Sequence, residues 1–112
     1  MAWTIEKALD DKSIDRTEKT LRGYSFWLKG IPTEIQVVLY VNPAQGGFNY
    51  HLSHLIKAPG QAGTYFPSRQ WGDDEAYALQ SAVRAITDYY NIAVKNGHMP
   101  RPEWLIKNPS GI

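Results

Sequence analysis

The chain contains no cysteine. That excludes a disulfide framework, a cysteine-ligated zinc site and a thiol nucleophile. It also lacks an excess of either charge: twelve Lys and Arg stand against eleven Asp and Glu, a formal net charge of +1. So even a balance provides no bulk attraction to DNA or to an anionic membrane. No apolar run approaches the roughly 20 residues that cross a bilayer. The opening segment, Met1-Ala2-Trp3-Thr4-Ile5-Glu6-Lys7, carries charge where a secretory signal needs an apolar stretch. Asn108-Pro109-Ser110 has proline in the middle and is no glycosylation acceptor. The expectation is a cytoplasmic protein with no membrane partner. There is no internal repeat, P-loop, dinucleotide fingerprint or nucleophile motif. No residue set calls for a cofactor or a metal.

What is present is ordinary globular material. With 112 residues and 43% hydrophobic residues, the chain has the length of one domain. It can bury roughly 65% of the surface its unfolded form exposes, enough for a core without staples. The charges are unevenly placed. Between Glu34 and Lys57 there is no Asp, Glu, Lys or Arg, and from Ile35 to Ser68 Lys57 is the only one. A half-exposed strand usually carries some charge on its wet face, so this run implies strands covered in part on both faces.

Periodicity predicts a short helix over 4–12, capped by Thr4, then a polar connection through Asp10, Asp11, Lys12, Asp15 and Arg16. Alternation predicts strands over 19–29, 34–42 and 48–57, separated by turns at Gly30-Ile31-Pro32-Thr33 and Asn42-Pro43-Ala44-Gln45-Gly46-Gly47. A long helix is expected over 73–96. Asp73, Asp74 and Glu75 stand at its positive end, and Leu79, Ala82, Val83, Ile86, Tyr90 and Ala93 form its apolar stripe. Asn96-Gly97 supplies its stop. The tail, 98–112, holds an apolar Trp104-Leu105-Ile106 cluster expected to pack back onto the domain. The result is an α+β two-layer sandwich of order α-β-β-β-α. The helix covers the sheet face made by Phe26, Leu28, Val37, Leu39, Tyr50 and Leu52.

The opposite face then presents Trp27, Gln36, Val38, Tyr40, Asn49, His51, Ser53 and Leu55, aromatic and nearly free of charge. Interface cores have this composition. Trp27, Val38, Tyr40, Asn49, His51 and Leu55 are therefore the expected partner-binding residues, unless the first helix or the tail, with Trp3 or Trp104, covers them. The expected function is a small non-enzymatic interaction module that docks a protein partner or a second copy of itself. Inhibitors, adaptors and regulatory proteins, including accessory proteins of phages and mobile elements, share this size and plainness.

Two other functions remain open. A single-stranded nucleic acid could stack on Trp27 and Tyr40, with Lys19, Arg22, Lys29 and Arg69 on phosphates. A small hydrolase or transferase could use His51, because imidazole titrates near neutral pH. His51-Leu52-Ser53 has the letters of the H-x-S/T element of two-histidine phosphoesterases, but His98-Met99-Pro100 does not supply the second copy. His51 and His54 cannot share a ligand, since residues three apart on a strand face opposite sides. His51 is then a surface donor, and His54 a core histidine with a partner. Asp73-Asp74-Glu75 is better explained as helix capping than as a metal cluster, and Gly60-Gln61-Ala62-Gly63 as a turn than as a nucleic-acid clamp. The element order resembles the double-stranded RNA-binding domain. That family grips phosphate with lysines at the start of its last helix. Asp73, Asp74 and Glu75 occupy those positions here and repel phosphate, so no functional residue carries over.

Overall fold

A computed structural model describes residues 3–67 and 69–109. The expected tail 98–112 is thus described as far as Pro109. The architecture is a five-stranded antiparallel sheet covered on one face by a long helix, with a short helix at the N-terminal side. In chain order the elements are α1 (Ile5–Ala8), β1 (Ile14–Lys19), β2 (Gly23–Leu28), β3 (Ile35–Val41), β4 (Phe48–Leu52), β5 (His54–Ile56), β6 (Trp71–Gly72), α2 (Glu75–Lys95), a single 3-10 turn (Pro102–Trp104) and β7 (Leu105–Lys107). The main sheet has the order β1-β2-β3-β4-β6, and β5 with β7 forms a separate two-stranded ribbon.

Three differences from the sequence reading stand out. The expected strand 19–29 is a hairpin, because the polar connection before it is itself a strand, β1. β1 is exposed along nearly its whole length, so no burial pattern marks it. Its alternating charges suit an edge strand, where they discourage pairing with another chain. The expected strand 48–57 breaks at Ser53. There the Ser53 N–H donates to the Gln36 carbonyl at 2.9 Å, and the Ser53 hydroxyl accepts from the Gln36 N–H at 2.8 Å. Beyond that point the chain pairs with β7 instead of β3. The first helix is also shorter than expected. Thr4 does cap it, accepting from the Lys7 N–H at 3.1 Å.

α2 follows the sequence closely. The Asp74 carboxylate accepts from the Tyr77 N–H at 2.8 Å. At the far end Gly97 adopts a φ of +91°. The Gly97 N–H then reaches the Val94 carbonyl at 3.0 Å and the His98 N–H the Ala93 carbonyl at 3.1 Å, the paired bonds of a left-handed helix stop.

The core lies between α2 and the inner sheet face. Phe26, Leu28, Ile35, Val37, Tyr50 and Leu52 meet Leu79, Ala82, Val83, Ile86, Tyr90 and Ala93. The tail closes one end of it. The Trp104 ring stands edge-on to Tyr90 with centroids 5.8 Å apart, the Trp104 carbonyl accepts from the Lys57 N–H at 2.8 Å, and Leu105 pairs with Ile56. The Tyr90 hydroxyl donates to the Lys29 carbonyl at 2.6 Å, tying α2 to the end of β2. One residue along α2, the Asn91 amide donates to Asp11, which also accepts from the Ser13 hydroxyl and N–H. Burial disfavours the Asp11 charge. The Ser13 and Asn91 hydrogen bonds, with Lys12 nearby, outweigh burial and hold its pKa below the usual value.

One core residue breaks the rule that buried polar atoms are paired. The Thr87 hydroxyl is fully buried and has no partner among the described residues. Replacing such a group by an apolar one of the same shape is close to neutral or stabilising. Thr87→Val should therefore leave the melting temperature unchanged or raise it. A drop of several degrees in a thermal melt would show a hydrogen bond that this geometry lacks.

Candidate functional site

Opposite residues of an antiparallel pair share a face, so the outer face can be read from the register. Arg16 lies opposite Trp27, Glu18 opposite Ser25, Ser25 opposite Gln36, and Gly23 opposite Val38. Val38 lies opposite His51, Tyr40 opposite Asn49, and Asn49 opposite Trp71. The structure thus brings Trp27, Val38, Tyr40, Asn49 and His51 onto one surface. Among the described residues neither of the expected covers lies over it: α1 packs on α2, and Trp104 is in the core.

Two members of the expected set are not available to a partner. Val38 is 7% exposed, a short side chain in the middle strand with a strand on each side. Leu55 is 3% exposed and has left the main sheet, paired beside Ile106 in the β5–β7 ribbon because the chain turns at Ser53. Tyr40, at 49%, is the most exposed of the set, while Trp27 and Asn49 are half-buried. Two residues are added: Arg16, whose guanidinium lies 3.8 Å above the Trp27 ring, and Trp71, whose ring carries the Arg69 guanidinium at 4.6 Å. The sequence reading missed them because neither β1 nor the two-residue β6 shows a strand pattern. Trp71 is pinned by its indole N–H, which donates to the Gly46 carbonyl at 2.8 Å. That carbonyl belongs to the β3–β4 turn, which Asn42 organises by accepting from the Ala44 and Gln45 N–H groups.

His51, expected as a surface donor, stands half-buried on the outer face. Its Nε2 is buried and has no hydrogen-bond partner among the described residues. Among the described residues it lines none of the clefts on the helix side. His54 points the other way, as the alternation required, and its Nδ1 meets the Ser53 hydroxyl at 2.8 Å. Burial, with a smaller contribution from Lys107, lowers its pKa. A histidine whose folded pKa lies below its unfolded value contributes stability that is present above the unfolded value and lost as pH falls toward the folded one. The melting temperature should therefore fall as pH drops from 7 through the histidine range, and His54→Gln should flatten that fall. An unchanged slope in the variant would assign the effect elsewhere.

The four cations proposed for phosphate contact do not form a stripe. Lys19 and Arg22 flank the β1–β2 turn, Lys29 follows the opposite end of β2, and Arg69 precedes β6 at the far edge. Four strand spacings separate β1 from β6, roughly 19 Å. Lys19 also stacks on Tyr24, which belongs to the inner face. Among the described residues no group of three or more acids and histidines could hold a metal ion, and no helix is long and apolar enough to cross a membrane.

The helix side carries two clefts of about 520 Å³ each, on either side of the Tyr65–Tyr89 ring pair. The sequence reading did not anticipate them. Tyr50 reads as core and Gln80 as the border of an apolar stripe, and only the fold shows that both line one cleft. Comparison with family models, with curated proteins and with solved structures finds no match to this chain.

Proposed function

We propose that this protein is a small interaction module that docks a protein partner on the outer face of its sheet. The observation that carries the reading is the outer sheet surface, where Tyr40, Asn49 and Trp71 stand in line across β3, β4 and β6 and Trp27 stands toward the other end of β2; among the described residues no helix packs over it, and β3 and β4 carry no Asp, Glu, Lys or Arg. Charge depletion with Trp and Tyr enrichment marks the centre of protein interfaces. Arg16 and Arg69, held over the two indoles, supply donors at the rim for backbone carbonyls or carboxylates of the partner. The charged edge strand β1 opposes strand-to-strand association of copies, which favours docking on the face over docking on the edge.

Nucleic acid fits less well. Base stacking needs open aromatic faces, and Arg16 and Arg69 already lie over the two tryptophan rings. The test uses wild-type and Tyr40→Ala chains as baits on the same nuclease-treated extract from cells that carry the protein. A protein retained by the wild type and absent from the variant supports the reading. Retention that disappears with nuclease, or that is equal for both baits, contradicts it.

A further inference from the structure

The cleft on the helix side has the features of a small-molecule site, and of the residues assigned to the outer face only Arg69 borders it. It lies between the stretch of α2 from Gln80 to Ile92 and the side chains of Tyr65, Pro67 and Arg69, and its volume of about 520 Å³ falls within the usual size of ligand pockets. Two polar groups line it without partners. Tyr50 is 2% exposed and Gln80 6% exposed. Neither the Tyr50 hydroxyl nor the Gln80 carboxamide makes a hydrogen bond to any described residue. Neither is among the polar atoms sealed without a partner in the interior, so both face the cleft with their hydrogen-bonding capacity unused. Two such groups converging on one cavity are the few placed polar groups that orient a ligand in a pocket.

The lining indicates the chemistry of that ligand. A carboxamide presents a donor and an acceptor side by side, which matches the edge of a planar amide or heteroaromatic ring. The Tyr65 and Tyr89 rings, 5.0 Å apart, offer a flat wall beside it. Burial and the neighbouring Tyr65 push the Tyr50 phenol up to about 12, so it remains a donor throughout the physiological range. At the mouth stand Arg69 and Arg84 against one acid, Asp88, an excess of one positive charge. Arg84 uses only its Nε on Asp88, at 3.3 Å, which leaves its terminal nitrogens free for an anion. Gln80 also borders a smaller cleft of about 250 Å³ against Trp3 and Lys7, but Tyr50 and Arg69 do not. The donor set therefore converges on the larger cavity.

We propose that this cleft binds a small molecule with a planar hydrogen-bonding group at one end and an anionic group at the other. Nucleoside monophosphates and heteroaromatic carboxylates share this chemistry. The planar group lies against Tyr65 and Tyr89 with its edge on Gln80 and Tyr50, and the anion meets Arg69 and Arg84.

The test titrates the full chain separately with adenosine monophosphate, nicotinate and inorganic phosphate. It reads the thermal melt and the side-chain amide signals of Gln80 by NMR. At millimolar concentration at least one planar anion should raise the melting temperature and shift the Gln80 amide, while inorganic phosphate alone should do less. Which planar anion acts distinguishes nucleotide from carboxylate. Arg69→Ala should weaken binding by about tenfold, as expected for the loss of one charged contact. Tyr50→Phe and Gln80→Leu should abolish the response yet leave the free protein as stable as before, since each removes an unpartnered group. Silence toward both planar anions would overturn the proposal, as would an undiminished response in Tyr50→Phe. If Gln80→Leu fails to fold, Tyr50→Phe and the wild-type amide shift decide the question.

Discussion

Trp104→Ala should destabilise the protein more than any substitution outside the helix–sheet core itself, by about 3–5 kcal/mol, as buried aromatic truncations do. For a domain near this length that corresponds to a fall in melting temperature on the order of 15 °C. Trp104 is 4% exposed and stands edge-on to Tyr90. Its position carries more than its own area. The backbone around it closes the β5–β7 ribbon, with the Lys57 N–H donating to its carbonyl at 2.8 Å. Four residues on, Asn108 donates its amide to the Leu52 carbonyl at 2.8 Å and its N–H to the Ser53 carbonyl at 2.9 Å, where β4 ends. Loss of the indole leaves a void beside Tyr90 and loosens the strand that holds the turn at Ser53. Thermal or urea unfolding measures the effect. A variant within about 1 kcal/mol of wild type, the size of an ordinary point change, would mean that the tail is an accessory.

The same residues show how far the sequence could be read. α2 was legible to within two residues, because its cap, stripe and stop each have a local physical cause: Asp74, the three-four spacing, and Gly97. β3 and the inner face were legible because Val37, Leu39, Tyr50 and Leu52 alternate with period two over a buried surface. β1 was not, since a charged edge strand is held by its ladder to β2 and not by a pattern of burial. The β5–β7 ribbon was not either. It joins residues about fifty apart, with three residues on each side, and depends on a tertiary turn at Ser53 that no periodicity announces.

The candidate surface divides along the same line. Trp27, Tyr40, Asn49 and His51 were placed on one face by alternation alone. Arg16 and Trp71 joined them only through strands that alternation did not reveal. Leu55 was assigned to the face by counting along a strand that in fact ends at Leu52. His51 shows a different limit. Its side of the sheet follows from parity, but the burial of Nε2 depends on the packing around it.

The second large effect is expected at the proposed docking surface. Interface energy concentrates in a few aromatic and arginine side chains near the centre of the patch. Trp27 and Tyr40 lie on adjacent strands of the outer face, toward opposite ends of the β2–β3 ladder and roughly 20 Å apart along it, and both lie outside the helix–sheet core. Their removal should therefore cost binding and leave the fold in place. Each truncation should weaken partner affinity by about 2 kcal/mol or more, roughly thirtyfold in the dissociation constant. Arg16→Ala should also weaken binding, because without its guanidinium one face of the Trp27 ring is unsupported.

The most direct test is a calorimetric titration of the captured partner with the wild type, Trp27→Ala and Tyr40→Ala, each checked for fold by circular dichroism. The account predicts folded variants that each bind at least about thirtyfold more weakly. Folded variants that bind as tightly as the wild type would contradict it, and would place the partner on a surface other than the outer face of the sheet.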